Sequence, residues 1–158
     1  MSMTRKFLRP PGAISEEEFL RKCIKCGKCV EACEKYGSGC LELLSIFKGL
    51  RYWRTPTFNP FKAPCEILGK CSVRQYCIEA CPTGALVKRH SYKLGKVIWN
   101  PNKCIKVRGG ECLVCIEVCP MNAIRFANKV LQVRDSICRG CGKCVHACPG
   151  RALTLIPC

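Results

Sequence analysis

Apart from its cysteines, the chain places apolar residues in short bursts rather than long periods. The longest burst, Leu41, Leu43, Leu44, Ile46, Phe47 and Leu50, recurs at helical spacing and predicts an amphipathic helix over residues 40–50. Stretches at 85–88 and 96–99 flank a turn near Gly95, and stretches at 123–126 and 130–133 flank one near Asn128. Each pair predicts a β-hairpin, and residues 152–156 predict a last strand. Near the start, Ser15 with Glu18 three positions on forms a capping box, so a short helix is expected over 16–21. Glu16, Glu17 and Glu18 read there as first-turn carboxylates favoured by the helix dipole rather than as acid–base groups. Residues 51–64 hold three prolines and four aromatics and read as an ordered crossing too broken for a regular element.

At 158 residues the chain is of single-domain size. Its hydrophobic fraction of 48% counts 18 cysteines, and without them about 37% remains, thin for a packed core of this length. Bound groups must therefore serve as much of the core, and the cysteines show which. Residues 138–149 read CRGCGKCVHACP, with Cys138, Cys141 and Cys144 at every third position and Cys148 four later, before Pro149. Three thiolates within seven residues can each address a different iron of one cube. This spacing is the bacterial ferredoxin run, whose fourth cysteine ligates the neighbouring cluster. Cys23, Cys26, Cys29 and Cys33 repeat it, with Glu34 in place of the proline. Cys65, Cys71, Cys77 and Cys81 carry two inserts, and Cys104, Cys112, Cys115 and Cys119 carry one after the first cysteine. All four runs keep the same final three-residue spacer. Four complete quartets predict four 4Fe-4S clusters, and Cys40 and Cys158, outside the runs, read as non-ligands.

Other uses of so much cysteine fit less well. No apolar leader opens the chain and no stretch of about 18 apolar residues could span a membrane, which weighs against a secreted disulfide scaffold. A zinc-binding interaction module needs separated CxxC pairs and not a third cysteine two residues on. The formal charge of +16 counts neutral thiols. Four clusters at about −2 oxidised or −3 reduced each bring it to about +8 or +4. Lys25, Lys28, Lys103, Lys106, Arg139 and Lys143 lie in or against the runs as counter-charge. The remaining excess favours an acidic protein partner, and the dispersed basic residues form no nucleic-acid patch. Trp53, Phe58 and Phe61 in the crossing are expected to shield clusters, pack the two halves together or meet a partner. Asp135 is the one aspartate, and His90 and His146 are the only histidines. His146 reads as a packing residue or one that supports a cluster ligand, and no catalytic constellation or dinucleotide fingerprint appears.

With the runs laid out, the sequence resembles the ferredoxin-type proteins associated with periplasmic nitrate reductase and methylamine utilisation, and more broadly the four-cluster subunits of molybdenum and tungsten enzymes. The matching stretches are LRPPGA at 8–13, EEEFLRKCIKCGKCVEAC at 16–33, TPTFNP at 55–60, CIEACPTGAL at 77–86 and CGKCVHAC at 141–148. The family has fewer residues than the five found here between Cys65 and Cys71. The resemblance implies an α+β fold of two nested bacterial-ferredoxin-like units. The first and fourth runs form an outer unit (1–60 plus 127–158) and the second and third an inner one (61–126). Cys148 would then join Cys23, Cys26 and Cys29, and Cys33 would join Cys138, Cys141 and Cys144. Cys119 would join Cys65, Cys71 and Cys77, and Cys81 would join Cys104, Cys112 and Cys115. It also implies a non-catalytic relay of single electrons between a catalytic subunit and a further redox protein, with contacts between copies of the chain as an added expectation. RPPGA begins within nine residues of the start, leaving no room for an export leader, so a cytoplasmic member is expected. The small polyferredoxin subunits of tungsten aldehyde oxidoreductases are similar in size and architecture. A freely diffusing polyferredoxin is the alternative.

Overall fold

The computed structural model describes residues 6–158. Five short helices carry or precede cysteines: α1 (Glu16–Lys22), α2 (Lys28–Tyr36), α3 (Tyr76–Glu79), α4 (Val114–Glu117) and α5 (Lys143–Ala147). The Ser15 side chain accepts from the Glu18 N–H, and α1 ends at Cys23, delivering the chain to the first run as the capping box predicts. A proline explains the different lengths of the others. Proline lacks an N–H and drives the residue before it out of the helical region. Cys148, before Pro149, is accordingly extended at φ −72°, ψ 108°, and α3, α4 and α5 all stop before their fourth cysteine. Glu34 imposes no such stop, and α2 runs through Cys33 to Tyr36.

Six strands form three two-stranded antiparallel sheets among the described residues. β4 (Ile124–Ala127) and β5 (Val130–Val133) make the expected hairpin. Asn128 and Lys129 take φ of 51° and 60°, the left-handed pair that a tight two-residue hairpin turn needs. The other hairpin is corrected. β3 (Lys96–Trp99) pairs with β6 (Leu153–Ile156), and residues 85–88 form no strand. Leu86 bridges Ala13 instead, with the Val87 N–H donating to the Gly12 carbonyl at 2.8 Å.

The expected helix at 40–50 is also corrected. β1 (Leu41–Leu43) pairs with β2 (Pro56–Phe58), Leu41 facing Phe58 with both buried. The helical spacing misled because only Leu41 and Leu44 of that burst are core residues. Ile46, Phe47 and Leu50 are exposed, Phe47 at 95%, on a one-turn 3-10 segment, Ile46–Lys48, that ends at Gly49 with φ 107°. The crossing contains a strand after all. Pro56 is tolerated because it stands at the end of the ladder, opposite Leu43.

The two ferredoxin-type halves follow one another instead of nesting. In the second half, β3 and β6 enclose the third and fourth runs, with the β4–β5 hairpin between them. In the first half the segment 8–14 takes the place of β3: Leu8 accepts from the Phe58 N–H and the Thr57 hydroxyl, and Ile14 donates to Ala85. The expected division of 1–60 plus 127–158 around 61–126 therefore does not match the strand pairing, because the last strand returns to the segment just before the third run. The halves meet where the Cys65 N–H donates to the Cys141 carbonyl at 2.8 Å and the Leu94 N–H to Arg139 at 3.0 Å. Lys143 pairs with Glu66 at the same place, at 3.3 Å. One core joins Leu41, Phe58 and Ile67 to Val97, Ile124, Val145 and Leu153.

Candidate metal centres

The loop before each regular run is built alike. Lys25 (φ 59°) and Gly27 (φ 78°) flank Cys26, and Gly140 (φ 67°) and Gly142 (φ 79°) flank Cys141. Two left-handed residues around the middle cysteine curl the chain so that three thiols converge. At Gly140 the backbone of Gly95 leaves no space for a side chain, so that glycine is needed for contact as well as conformation.

The quartets then form by exchange. Cys104, Cys112, Cys115 and Cys148 line one cavity with about 430 Å³ of atom-free space, part of it open to solvent. Cys119, Cys138, Cys141 and Cys144 line another of about 330 Å³. In the first half, Cys29 has Cys23, Cys81 and Cys26 as its charged neighbours. Cys77 is acted on by Cys33, Cys29, Cys40 and Cys71, of which Cys29 belongs to the first group, and Cys65 acts in turn on Cys40. Each group thus takes three cysteines from one run and the fourth from the adjacent run. The expected exchange of first with fourth and second with third runs is corrected: Cys148 lies with Cys104, and Cys81 with Cys23. The cause is the strand pairing, which closes each half on itself.

The fourth cysteines are held by a recurring turn. In Cys-Pro-x-x-Ala the third residue after cysteine is left-handed, at Gly84 (φ 67°), Asn122 (φ 47°) and Arg151 (φ 48°). The alanine N–H then reaches back to sulfur, 3.3 Å from Ala123 to Cys119 Sγ and 3.3 Å from Ala152 to Cys148 Sγ. At Cys81 burial works to raise the thiol pKa, but N–H groups of Leu86, Thr83 and Ala85 and the Thr83 hydroxyl bring it below its ordinary value. Cys33 has no such turn, and the N–H groups of Leu41 and Cys40 serve it instead.

Most interior thiols are pushed the other way. Burial, followed by neighbouring cysteines, raises Cys29 to about 12, Cys144 to about 12 and Cys115 to about 11, and Cys77 upward for the same reasons. Thiolates gathered at such sites need cationic metal to compensate them. Trp99 adds a second sign of fit. Its indole N–H is the one buried side-chain polar atom without a partner among the described residues, and Trp99 lines the cavity of Cys104, Cys112, Cys115 and Cys148. Cluster sulfur there would supply an acceptor, where an apolar filling would not. Among the described residues no three His, Cys, Asp or Glu side chains are arranged around a single metal ion; the quartets ring a volume. The donor set fits 4Fe-4S clusters.

Other expected residues fall as follows. Cys158 is exposed, while Cys40 is 1% exposed and packed among the second quartet. His146 and His90 are exposed, so of the two expected roles of His146 burial in the core is the one not met. Asp135 pairs with Lys93, whose hydrogen bond holds its carboxyl below the usual range. Phe58 is buried, and Trp53 and Phe61 are exposed. Glu16 is more than a dipole partner: it is 2% exposed and bound to Arg9, itself 1% exposed, whose guanidinium also donates to Thr55 and Pro56. That network joins the RPPGA and TPTFNP segments, and composition alone gave no sign of it. Among the described residues no helix is long and apolar enough to cross a membrane.

Comparison with known proteins identifies 4Fe-4S ferredoxin-type domains in the chain. Residues 96–149 match the 4Fe-4S dicluster domain family, and residues 21–37 a 4Fe-4S binding domain family. The methylamine utilization ferredoxin-type protein MauM of Methylophilus methylotrophus is 33% identical, the alignment covering 95% of this chain and 70% of that protein. MauM of Paracoccus denitrificans is also 33% identical, over 89% of this chain and 66% of its own length. The ferredoxin-type protein NapG of Escherichia coli is 33% identical over 89% of this chain and 65% of its own. The chain thus spans just under two thirds of the length of these last two relatives. With its cysteine runs and its likeness to MauM over nearly all of its own residues, the chain belongs to the family of ferredoxin-type iron–sulfur electron carriers that includes MauM and NapG.

Proposed function

We propose that the chain holds four 4Fe-4S clusters and relays single electrons between a catalytic oxidoreductase subunit and another redox protein. The observation that carries this reading is the composition of the two cavities, each lined by three cysteines of one run and the fourth of its neighbour. The ligand sets would be Cys23, Cys26, Cys29 and Cys81; Cys33, Cys65, Cys71 and Cys77; Cys119, Cys138, Cys141 and Cys144; and Cys104, Cys112, Cys115 and Cys148. They divide the protein into two consecutive two-cluster units, joined near residue 95. Clusters bound there supply reversible one-electron chemistry at potentials set by charge, hydrogen bonds to sulfur and exposure.

The chain's own residues do the rest. Cys29 and Cys33 lie one helical turn apart on α2, about 6 Å along the axis, so one rigid element would hold a ligand in each of two adjacent sets. Lys25, Lys28, Lys103, Lys106, Arg139 and Lys143 would favour the more negative reduced state. Cys26 is exposed, which would bring the first set to the surface for exchange with another protein.

The exposed Ile46, Phe47, Leu50 and Trp53, interleaved with Lys48, Arg51 and Arg54, fit docking on an acidic protein with apolar surface. The resemblance makes that partner a tungsten or molybdenum enzyme such as an aldehyde oxidoreductase. The reading places the complex in the cytoplasm, where thiols stay reduced. Protein purified without oxygen should contain about sixteen iron and sixteen sulfide per chain and bring a catalytic subunit with it, in a salt-sensitive complex. Eight iron, or zinc in place of iron, would overturn the assignment; recovery of a monomer carrying all its iron would make the chain a freely diffusing polyferredoxin.

A further inference from the structure

Cys40 stands outside every ligand set, yet it is among the most enclosed side chains of the protein, 1% exposed. Its Sγ lies 3.7 Å from Cys33 Sγ, and the Cys65 side chain is near enough to act on its thiol. Both neighbours belong to the second set. Its backbone is fixed as well, since the Cys40 carbonyl accepts from the Asn59 N–H at 2.9 Å and the next residue, Leu41, is locked into β1 opposite Phe58.

The first run explains why a thiol is wanted there. Three runs close on a Cys-Pro-x-x-Ala turn that aims a backbone N–H at the fourth sulfur. The first has Glu34 in place of proline, its helix runs on to Tyr36, and the chain must loop through Gly37 and Gly39 before returning to the Cys33 sulfur at Cys40 and Leu41. The returning residue brings a side-chain S–H along with its N–H. A cysteine not bound to metal behaves as a small apolar residue with a weak S–H donor, which suits a pocket walled by Leu41, Phe58 and Ile67.

We propose that Cys40 is a positioning residue that donates an S–H hydrogen bond to a ligand sulfur of the second set, Cys33 or Cys65, and thereby raises the reduction potential of the cluster held there. A donor to sulfur stabilises the added negative charge of the reduced state, one of the recognised controls on cluster potential. Cys40 makes no bond to iron, and no covalent step is involved. The inference rests on the four-cluster reading, and the experiment separates the two.

Wild-type iron content is measured first, and a value well short of about sixteen per chain refutes that reading, whatever Cys40 does. Cys40→Ser and Cys40→Ala are then compared, because the two leave nearly the same space and differ in the donor. Each is purified without oxygen, assayed for iron, and titrated potentiometrically with electron paramagnetic resonance as readout. The expected result is full iron in both variants, a lowered midpoint for a single cluster in Cys40→Ala, and a midpoint nearer wild type in Cys40→Ser. Equal shifts in both variants, or none in either, would overturn the donor role. Loss of about four iron in Cys40→Ala would overturn it too, by making Cys40 a ligand.

Discussion

The Arg9–Glu16 pair gives the sharpest test of what holds the first half together. Arg9 Nε donates to both Glu16 oxygens at 3.2 and 3.0 Å, and Nη1 donates to Thr55 Oγ1 and the Pro56 carbonyl, each at 2.9 Å. The guanidinium also lies 4.7 Å from the Phe19 ring centre. Arg9→Ala would leave a carboxylate with 1% side-chain exposure and no cation, together with an unpaired Pro56 carbonyl. Removing one member of such a buried pair costs about 3–5 kcal/mol, chiefly because the remaining charge is stranded. At about 1.4 kcal/mol per tenfold, this is a factor between about a hundred and a few thousand. α1 ends at Cys23, so opening the network loosens the first ligand set. Cluster loss makes equilibrium unfolding an unsuitable measure. The assay is the rate at which visible absorbance bleaches in guanidinium chloride under anoxic conditions, with acceleration up to that factor expected. Arg9→Met combined with Glu16→Leu removes both charges and should bleach near the wild-type rate. Bleaching of Arg9→Ala within about threefold of wild type, or a double variant as fast as the single one, would refute the argument.

Cys81→Ser should disturb the spectroscopic signature of the cluster held by Cys23, Cys26 and Cys29, and Cys148→Ser that of Cys104, Cys112 and Cys115; the reverse assignment would restore the nested pairing. Trp99→Phe removes the orphaned indole donor while keeping an aromatic ring, and a potentiometric titration should show one midpoint lowered with iron content intact. Gly140→Ala forces a side chain into the Gly95 backbone at φ 67°, and a cost of about 1–3 kcal/mol should appear as faster bleaching of the second half. Stripping iron with a chelator should abolish most circular dichroism, since so thin an apolar core depends on its clusters for folding.

What was legible in the sequence was local. The four runs could be read because ligand spacing is set by a few residues of chain, the α1 cap because Ser15 and Glu18 are one turn apart, and the β4–β5 hairpin because Asn128 supplies its turn. The pairing of remote segments was not legible. β3 meets β6 across more than fifty residues, and the short strands at 41–43 and 56–58 have no alternation long enough to mark them. Residues 40–50 satisfied the helical pattern by chance, since a burst of apolar side chains in a small, cluster-dependent protein need not face its core. The Arg9 network escaped for a related reason. An arginine before two prolines reads as a surface residue until Thr55, Pro56 and Glu16 are brought around it.

The proline after the fourth cysteine connects these scales. By stopping the helix it frees three residues to form the left-handed turn, and the turn returns an N–H to the sulfur and sends the chain off toward its strand partner. In the first run, without it, α2 is longer, the return comes at Cys40, and the chain enters β1 instead. That substitution alters how the second set is built, and separately the Cys65 N–H donates to the Cys141 carbonyl. The second set therefore lies beside the loop of Cys138, Cys141 and Cys144, while α2 ties it to the first set through Cys29 and Cys33. By the same logic Cys115 and Cys119, flanking the end of α4, tie the fourth-run set to that of Cys104. The cysteine groups thus succeed one another in the order first, second, fourth and third run, with the two outer groups at opposite ends of the sequence of contacts. The cysteines that act most strongly on Cys23 and Cys29 come from the first and second runs, Cys26 and Cys81 for both.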